Sequence, residues 1–216
     1  MPGIALHVVQ RGNNRTQCFF TDGDRLAYLR LLLEYSRDVG CAVHAYCLMT
    51  NHLHLLLTPS QRDACAALMK NVGQHYVQYV NRVHGRTGTL WEGRFRSSVA
   101  MSAEYVLACY RYIELNPVRG GLSNHPREYR WSSHLHNAEG VPDSLLVPHP
   151  VYEGLESSPL SRQKTYRALF ETPLETEVLN EIRGALRIGR ELGTEARGRG
   201  RPAKNGDRPH IPQGEK

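Results

Sequence analysis

The run Asn51-His52-Leu53-His54-Leu55-Leu56-Leu57 has the periodicity that sets the fold. Successive side chains of a strand point to opposite faces. His52 and His54 therefore share one face, while Leu53, Leu55 and Leu57 share the other. An apolar run of this length, entered from a Thr50-Asn51 turn, reads as a strand buried in a sheet. Two neutral imidazoles side by side form half of a divalent-metal site. His134-Leu135-His136 repeats the spacing but follows Trp131-Ser132-Ser133 with no apolar run, so it carries little weight.

On either side of that strand the pattern is regular. Residues 5–10 read as a first strand and 41–49 as a second. Between them a helix starts at Thr21, carries Leu26, Leu29, Leu32 and Leu33 at helical spacing, and stops near Gly40. Pro59-Ser60 closes the hairpin. A long helix from about 62 to 84 follows, with Leu68, Val72, Tyr76, Tyr79 and Val83 as its buried stripe. A fourth strand contains Trp91, Arg94, Phe95, Arg96 and Val99. Ser102 caps a third helix that ends near Asn116, because Pro117 cannot continue it. The first six elements follow the split β-α-β order. The fold class expected is α+β: a ferredoxin-like four-stranded antiparallel sheet with helices on one face. The expected division is a domain over 1–133, a loop-rich and helical extension over 134–192 with short helices at 160–171 and 174–192, and a disordered basic tail over 193–216.

Composition narrows the class. An apolar fraction of 40% suits a water-soluble chain, and no window approaches the ~18 apolar residues of a membrane span. The N-terminus has no basic region followed by an apolar one, so export is not expected. Cys18, Cys41, Cys47, Cys65 and Cys109 are odd in number and scattered, against both a disulfide framework and a zinc–thiolate site. A reducing cytoplasm, close to the nucleoid, is the expected location. Net charge is +6, from 27 Lys and Arg against 21 Asp and Glu. Arginine dominates the cations, and its fork pairs with phosphates and stacks on bases.

The third helix carries Tyr105, Tyr110, Tyr112 and Asn116. At 100° per residue, Val106, Cys109, Tyr110 and Ile113 form the core face. Tyr105, Tyr112 and Asn116 form a narrow stripe at its edge. Two imidazoles plus the Asn116 amide oxygen would make a three-ligand site with open positions, and a tyrosine one turn away could attack a phosphate there. Ionising a phenol at pH 7 costs roughly 4 kcal/mol, at 1.36 per pH unit. A cation that polarises the phosphoryl oxygen offsets that cost.

Thr-Asn-His52-Leu-His54-Leu-Leu-Leu, followed by Tyr112-Ile-Glu-Leu-Asn116-Pro-Val-Arg, resembles the single-tyrosine HUH transposases, and within them the REP-associated tyrosine transposases. His7-Val-Val-Gln-Arg-Gly-Asn, Gly88-Thr-Leu-Trp91-Glu-Gly-Arg-Phe95 and Trp131-Ser-Ser extend the resemblance from about Leu6 to Trp131. The resemblance implies a ferredoxin-like palm, a divalent metal (Mg²⁺ or Mn²⁺) and cleavage of single-stranded DNA beside a hairpin. Position by position it makes His52 and His54 metal ligands, Tyr112 the nucleophile and Asn116 a third ligand. Tyr105 and Tyr110 are the fallback nucleophiles.

Arg11, Asn13, Asn14 and Arg15, in the loop after the first strand, are expected to meet phosphates or bases. Arg86, Trp91, Arg94, Phe95 and Arg96 mix cations with aromatic faces, as single-strand binding surfaces do, although Trp91 and Phe95 could equally be core. Gly198-Arg199-Gly200-Arg201-Pro202 resembles the core of a minor-groove hook. The leading function is a metal-dependent DNA strand transferase. Two alternatives stand beside it: a hairpin-binding module that does not cut, and a metal-dependent phosphodiesterase that uses water. Whether the protein is a monomer or a homodimer stays open.

Overall fold

The computed structural model describes residues 2–188 and the backbone of 191–192. The Arg199 and Arg201 pair lies outside the described residues. The elements are β1 (Ala5–Arg11), α1 (Asp22–Asp38), β2 (Cys41–Leu48), β3 (His52–Pro59), α2 (Ala64–Val83), β4 (Arg96–Ala100), α3 (Ala103–Glu114), α4 (Asn116–Arg119), α5 (His134–Glu139), α6 (Pro150–Glu153), α7 (Pro159–Ala168), α8 (Thr176–Ile188) and β5 (Glu191–Leu192). Strand order is β2-β3-β1-β4, all antiparallel, with β5 added parallel to β4 at the edge. The four-stranded sheet and the β-α-β-β-α-β order are those expected. The fifth strand is not: the helix expected over 174–192 ends at Ile188, and 191–192 join the sheet.

Alternation along the two central strands assigns each face. Leu53, Leu55 and Leu57 of β3 join Leu6 and Val8 of β1 in a core roofed by α1 and α2. Leu32 of α1 and Leu68, Val72, Tyr76 and Val80 of α2 line up at four-residue steps in that core. This buried row drifts from the expected stripes, so Leu26 and Val83 end on the surface, 46% and 52% exposed. Thr21 and Asp24 form a reciprocal capping box that starts α1.

The other face of the sheet is also covered. Ala5, Ala45, Cys47 and Leu56 pack against α3 and against Ala138, Tyr152, Tyr166, Ile182, Ala185 and Leu186 of the C-terminal helices. Helices on one face therefore describe α1 and α2 alone. The second face carries apolar side chains that need their own cover, and α3 with α5 to α8 provides it. The segment read as loop-rich up to 158 contains α5 and α6 and belongs to this layer.

Glu114, at the end of α3, fastens that layer. Its fully buried carboxyl group accepts from Ser133 Oγ at 2.6 Å, Asn137 Nδ2 at 2.8 Å, His134 Nδ1 at 2.9 Å and the Tyr166 hydroxyl at 2.9 Å. His134 is thus a buried partner of Glu114, while His136 is half-buried and bonds the Val141 carbonyl. On a helix the H-x-H spacing separates the rings. Glu114→Ala leaves His134 Nδ1 and the Tyr166 hydroxyl without an acceptor, leaves Ser133 and Asn137 only their longer bonds to the Tyr46 and His44 carbonyls, and should lower the unfolding free energy by about 3–5 kcal/mol. Urea titration with an unchanged m-value checks this.

Candidate active site

The second face of the sheet holds the expected residues. His52 pairs with Arg11 and His54 with Val9 in the β1–β3 ladder. The two imidazole centroids lie 5.1 Å apart, nearly perpendicular. From α3, crossing above, the Tyr112 ring reaches 5.7 Å from His54 and 5.5 Å from His7. Asn116 begins α4 one turn later. Its amide nitrogen donates to the Tyr112 carbonyl at 3.0 Å, which leaves Oδ1 as the atom a ligand could use. Tyr112, Asn116, His52 and His54 line one cavity of about 560 Å³.

A hydrogen bond fixes the proton of His52. Asn51 Nδ2 donates to the Arg15 carbonyl at 3.0 Å, so its Oδ1 faces His52 Nδ1 at 2.6 Å and accepts from it. In the neutral ring, His52 Nε2 is then a bare lone pair. His54 Nδ1 lies 2.9 Å from His7 Nε2. A ring offering Nε2 to a cation carries its proton on Nδ1, and His7 is the acceptor in place for it. His7 is completely buried and its Nδ1 has no partner. Burial lowers the pKa of His7 to about 3, Arg119 adding to the effect. Burial and the charge of Arg11 lower His52 to about 4. His54 falls well below the usual imidazole range, chiefly through burial. All three are neutral at pH 7. Among the described residues no group of three or more His, Cys, Asp or Glu side chains is arranged to hold a metal ion. A complete cation shell would need Asn116 Oδ1, substrate oxygens or water.

The cavity walls are basic. Arg11, Arg15, Arg94 and Arg96 line it together with Arg183 and Arg187 of α8, against one acid, Glu92. The Arg15 backbone is left-handed, with φ 58°, and the Asn51 bond holds it there. Gly12 is required beside it, since a Cβ would lie 2.2 Å from the Thr16 carbonyl oxygen. The Arg119 guanidinium stacks 4.2 Å above the Tyr112 ring and also bonds the Tyr112 carbonyl.

Other expected residues lie elsewhere. Trp91 is 8% exposed, in the α1–α2 core against Tyr28 and Tyr76. It offers no stacking face to a strand, because the single bridge between Trp91 and Gly12 turns the ring inward before β4 begins at Arg96. Phe95 packs partly buried on the same core. Arg86 lies over the Phe20 ring, and Asn13 and Asn14 form a short 3-10 turn outside the cavity lining. Tyr110 is fully buried against Tyr152 and Tyr166, and the Tyr105 hydroxyl bonds Glu181 of α8. His7, Asn51, Arg119, Arg183 and Arg187 join the site without being among the residues the sequence singles out for it. The signals available were the even spacing of His7 with Val9 and Arg11, and the four-residue spacing of Arg183 with Arg187.

The fold has a solved counterpart. The chain is similar to a REP-associated tyrosine transposase solved bound to a REP hairpin, with 16% identity and a TM-score of 0.56 over 69% of this chain and 88% of that one. A looser likeness joins it to a protein from Deinococcus radiodurans R1, at 21% identity and a TM-score of 0.39 over 51% of this chain and 88% of that one. No curated protein sequence matches the chain. The family model for IS200-like transposases matches residues 1–116, more than half of the chain. The chain belongs to the IS200-like transposase family.

The neutral histidines have a measurable consequence. Their unfolded forms take up protons near pH 6.5, while the folded forms of His7, His52 and His44, the last buried on β2 against the Val147 carbonyl and the Thr58 hydroxyl, resist protonation down to about 3–4. The unfolded state thus binds more protons in that window. Stability complete above pH 6.5 drains as pH falls, by up to 1.36 kcal/mol per unit for each ring. With chelator present, the urea midpoint should be lower at pH 5 than at pH 7.5, and a level midpoint contradicts neutral burial. A second consequence concerns His7. Were His52 and His54 to hold Mn²⁺, His7→Phe, which removes the acceptor for His54, would weaken the binding about 10–100-fold, and His7→Gln, which keeps an acceptor, would weaken it less. Electron paramagnetic resonance of unbound Mn²⁺ reads both.

Proposed function

We propose that this transposase cuts and rejoins single-stranded DNA through a covalent bond to Tyr112. The observation that carries the reading is the convergence of Tyr112, His52 and His54 in one arginine-walled cavity. His52 Nε2, His54 Nε2 and Asn116 Oδ1 fit a divalent cation, Mg²⁺ or Mn²⁺: two uncharged nitrogens and an amide oxygen, with positions left for phosphate oxygens. Such a cation supplies Lewis-acid polarisation of the phosphoryl oxygen and stabilises the phenolate.

The chain's own groups do the rest. The arginines of the walls neutralise the phosphate and hold the strand, so the phenol meets a less repulsive anion. Arg119, stacked on the Tyr112 ring, keeps a positive charge beside the oxygen that becomes negative. The Tyr112 oxygen attacks phosphorus and loses its proton to solvent. The new O–P bond forms as the bond to the 3′-oxygen breaks, and that oxygen takes a proton from solvent as it leaves. The product is a 5′-phosphotyrosine ester. One phosphodiester replaces another, so a 3′-hydroxyl can later reverse the step without a nucleotide cofactor. The hairpin bound by the solved relative supports a folded strand beside the cut as substrate.

Covalent trapping tests the reading. An oligonucleotide with a hairpin and a labelled single-stranded flank, incubated with Mn²⁺ and run on a denaturing gel, should give a protein–DNA adduct. Tyr112→Phe should reduce it by at least about three orders of magnitude, while Tyr110→Phe retains it. Cleavage without an adduct would instead mark a phosphodiesterase using water. Binding without cleavage would mark a DNA-binding module.

A further inference from the structure

The basic wall supplied by α8 lies well beyond residue 116, where the family match ends. Its placement is built, not incidental. Ile182, Ala185 and Leu186 are buried in the second core. The Tyr105–Glu181 hydrogen bond ties α8 to the tyrosine helix. Just beyond α8, the pairing of 191–192 with Val99 and Ala100 anchors the chain to the sheet edge. The face left to solvent carries Arg183 and Arg187, one turn apart, and both line the cavity that holds Tyr112.

Charge identifies the missing partner. Like charges at four-residue spacing weaken a helix by about 0.2–0.5 kcal/mol, and Arg183 also opposes the charge of Arg119. Among the described residues the ion pairs of arginine are Arg25 and Arg130 with Asp22 and Arg167 with Glu139, and none involves the cavity arginines. Six guanidinium groups exceed what one phosphate uses, so they fit a row of phosphates.

We propose that Arg183 and Arg187 form a phosphodiester clamp together with Arg94 and Arg96, so that the C-terminal extension is part of the site that grips single-stranded DNA. This rests on the reading of the cavity as a DNA site but not on cutting, so the two fail separately. The clamp adds affinity and salt dependence; Tyr112 adds the covalent bond.

The test uses full-length protein carrying Tyr112→Phe, which binds without cutting. Fluorescence anisotropy with a labelled mixed-sequence single-stranded oligonucleotide is measured from 50 to 200 mM salt. Adding Arg183→Gln and Arg187→Gln should lower affinity about tenfold and flatten the slope of log K against log salt by about 1.4, two contacts at 0.7 each. Arg30→Gln with Arg82→Gln, an equal charge change at exposed positions of α1 and α2, should leave the slope within error. Thermal melting confirms that each variant is folded. Unchanged affinity and slope in a folded Arg183/Arg187 variant overturn the clamp, as does an equal loss in the Arg30/Arg82 control or no oligonucleotide binding by the parent. Loss of binding in a protein whose Tyr112 form makes no adduct keeps the clamp and removes the cutting reading.

Discussion

Burial of β3 on both faces is the constraint on which the site depends. On one face its leucines fill the core beneath α1 and α2. On the other, His54 is buried beside Tyr112 of α3, and His52 is half-buried at the cavity. A buried imidazolium is poorly stabilised, so the rings stay neutral and keep a lone pair on Nε2. The same H-x-H on an open face would be two solvated, titrating histidines. The cover that dehydrates the rings also brings Tyr112 to them.

Electrostatics then divide floor from wall. The floor is neutral near pH 7 because histidine can shed its proton. The walls remain positive because arginine cannot. Asn51 joins the two: its carbonyl oxygen accepts from the Gly12 amide, its Nδ2 holds the Arg15 carbonyl and its Oδ1 orients His52. The left-handed Arg15 backbone costs about 1–3 kcal/mol and survives because these bonds over-determine the turn. One loop therefore sets both a cavity arginine and the proton position of an imidazole.

The C-terminal extension belongs to the same unit. Glu114 lies two residues from Tyr112 and gathers donors from α5, α7 and the segment before α5. The helix that presents the tyrosine is thereby held by residues far along the chain. α8 closes the same layer and adds its arginines to the cavity. No helix among the described residues is long and apolar enough to cross a membrane, and this layer has the sheet as its apolar partner.

Much was legible in the residues themselves. Period-two alternation along 52–57 and helical spacing along 64–83 and 103–114 determined the elements, the facing of the histidines and the separation of Tyr112 from Tyr110, because those periods are local properties of the backbone. The resemblance then named the pair of imidazoles and the tyrosine. The sequence alone left Trp91 open between surface and core, since an aromatic residue among arginines suits either place. Spacing puts His7 on one strand face with Val9 and Arg11 and Arg183 on one helix face with Arg187, but it does not say that His7 meets His54, that Glu114 collects four partners or that the arginine pair faces the cavity. Those facts depend on how α3 and α8 cross the sheet. That crossing is set by packing between residues some fifty to more than a hundred positions apart, which no local period records.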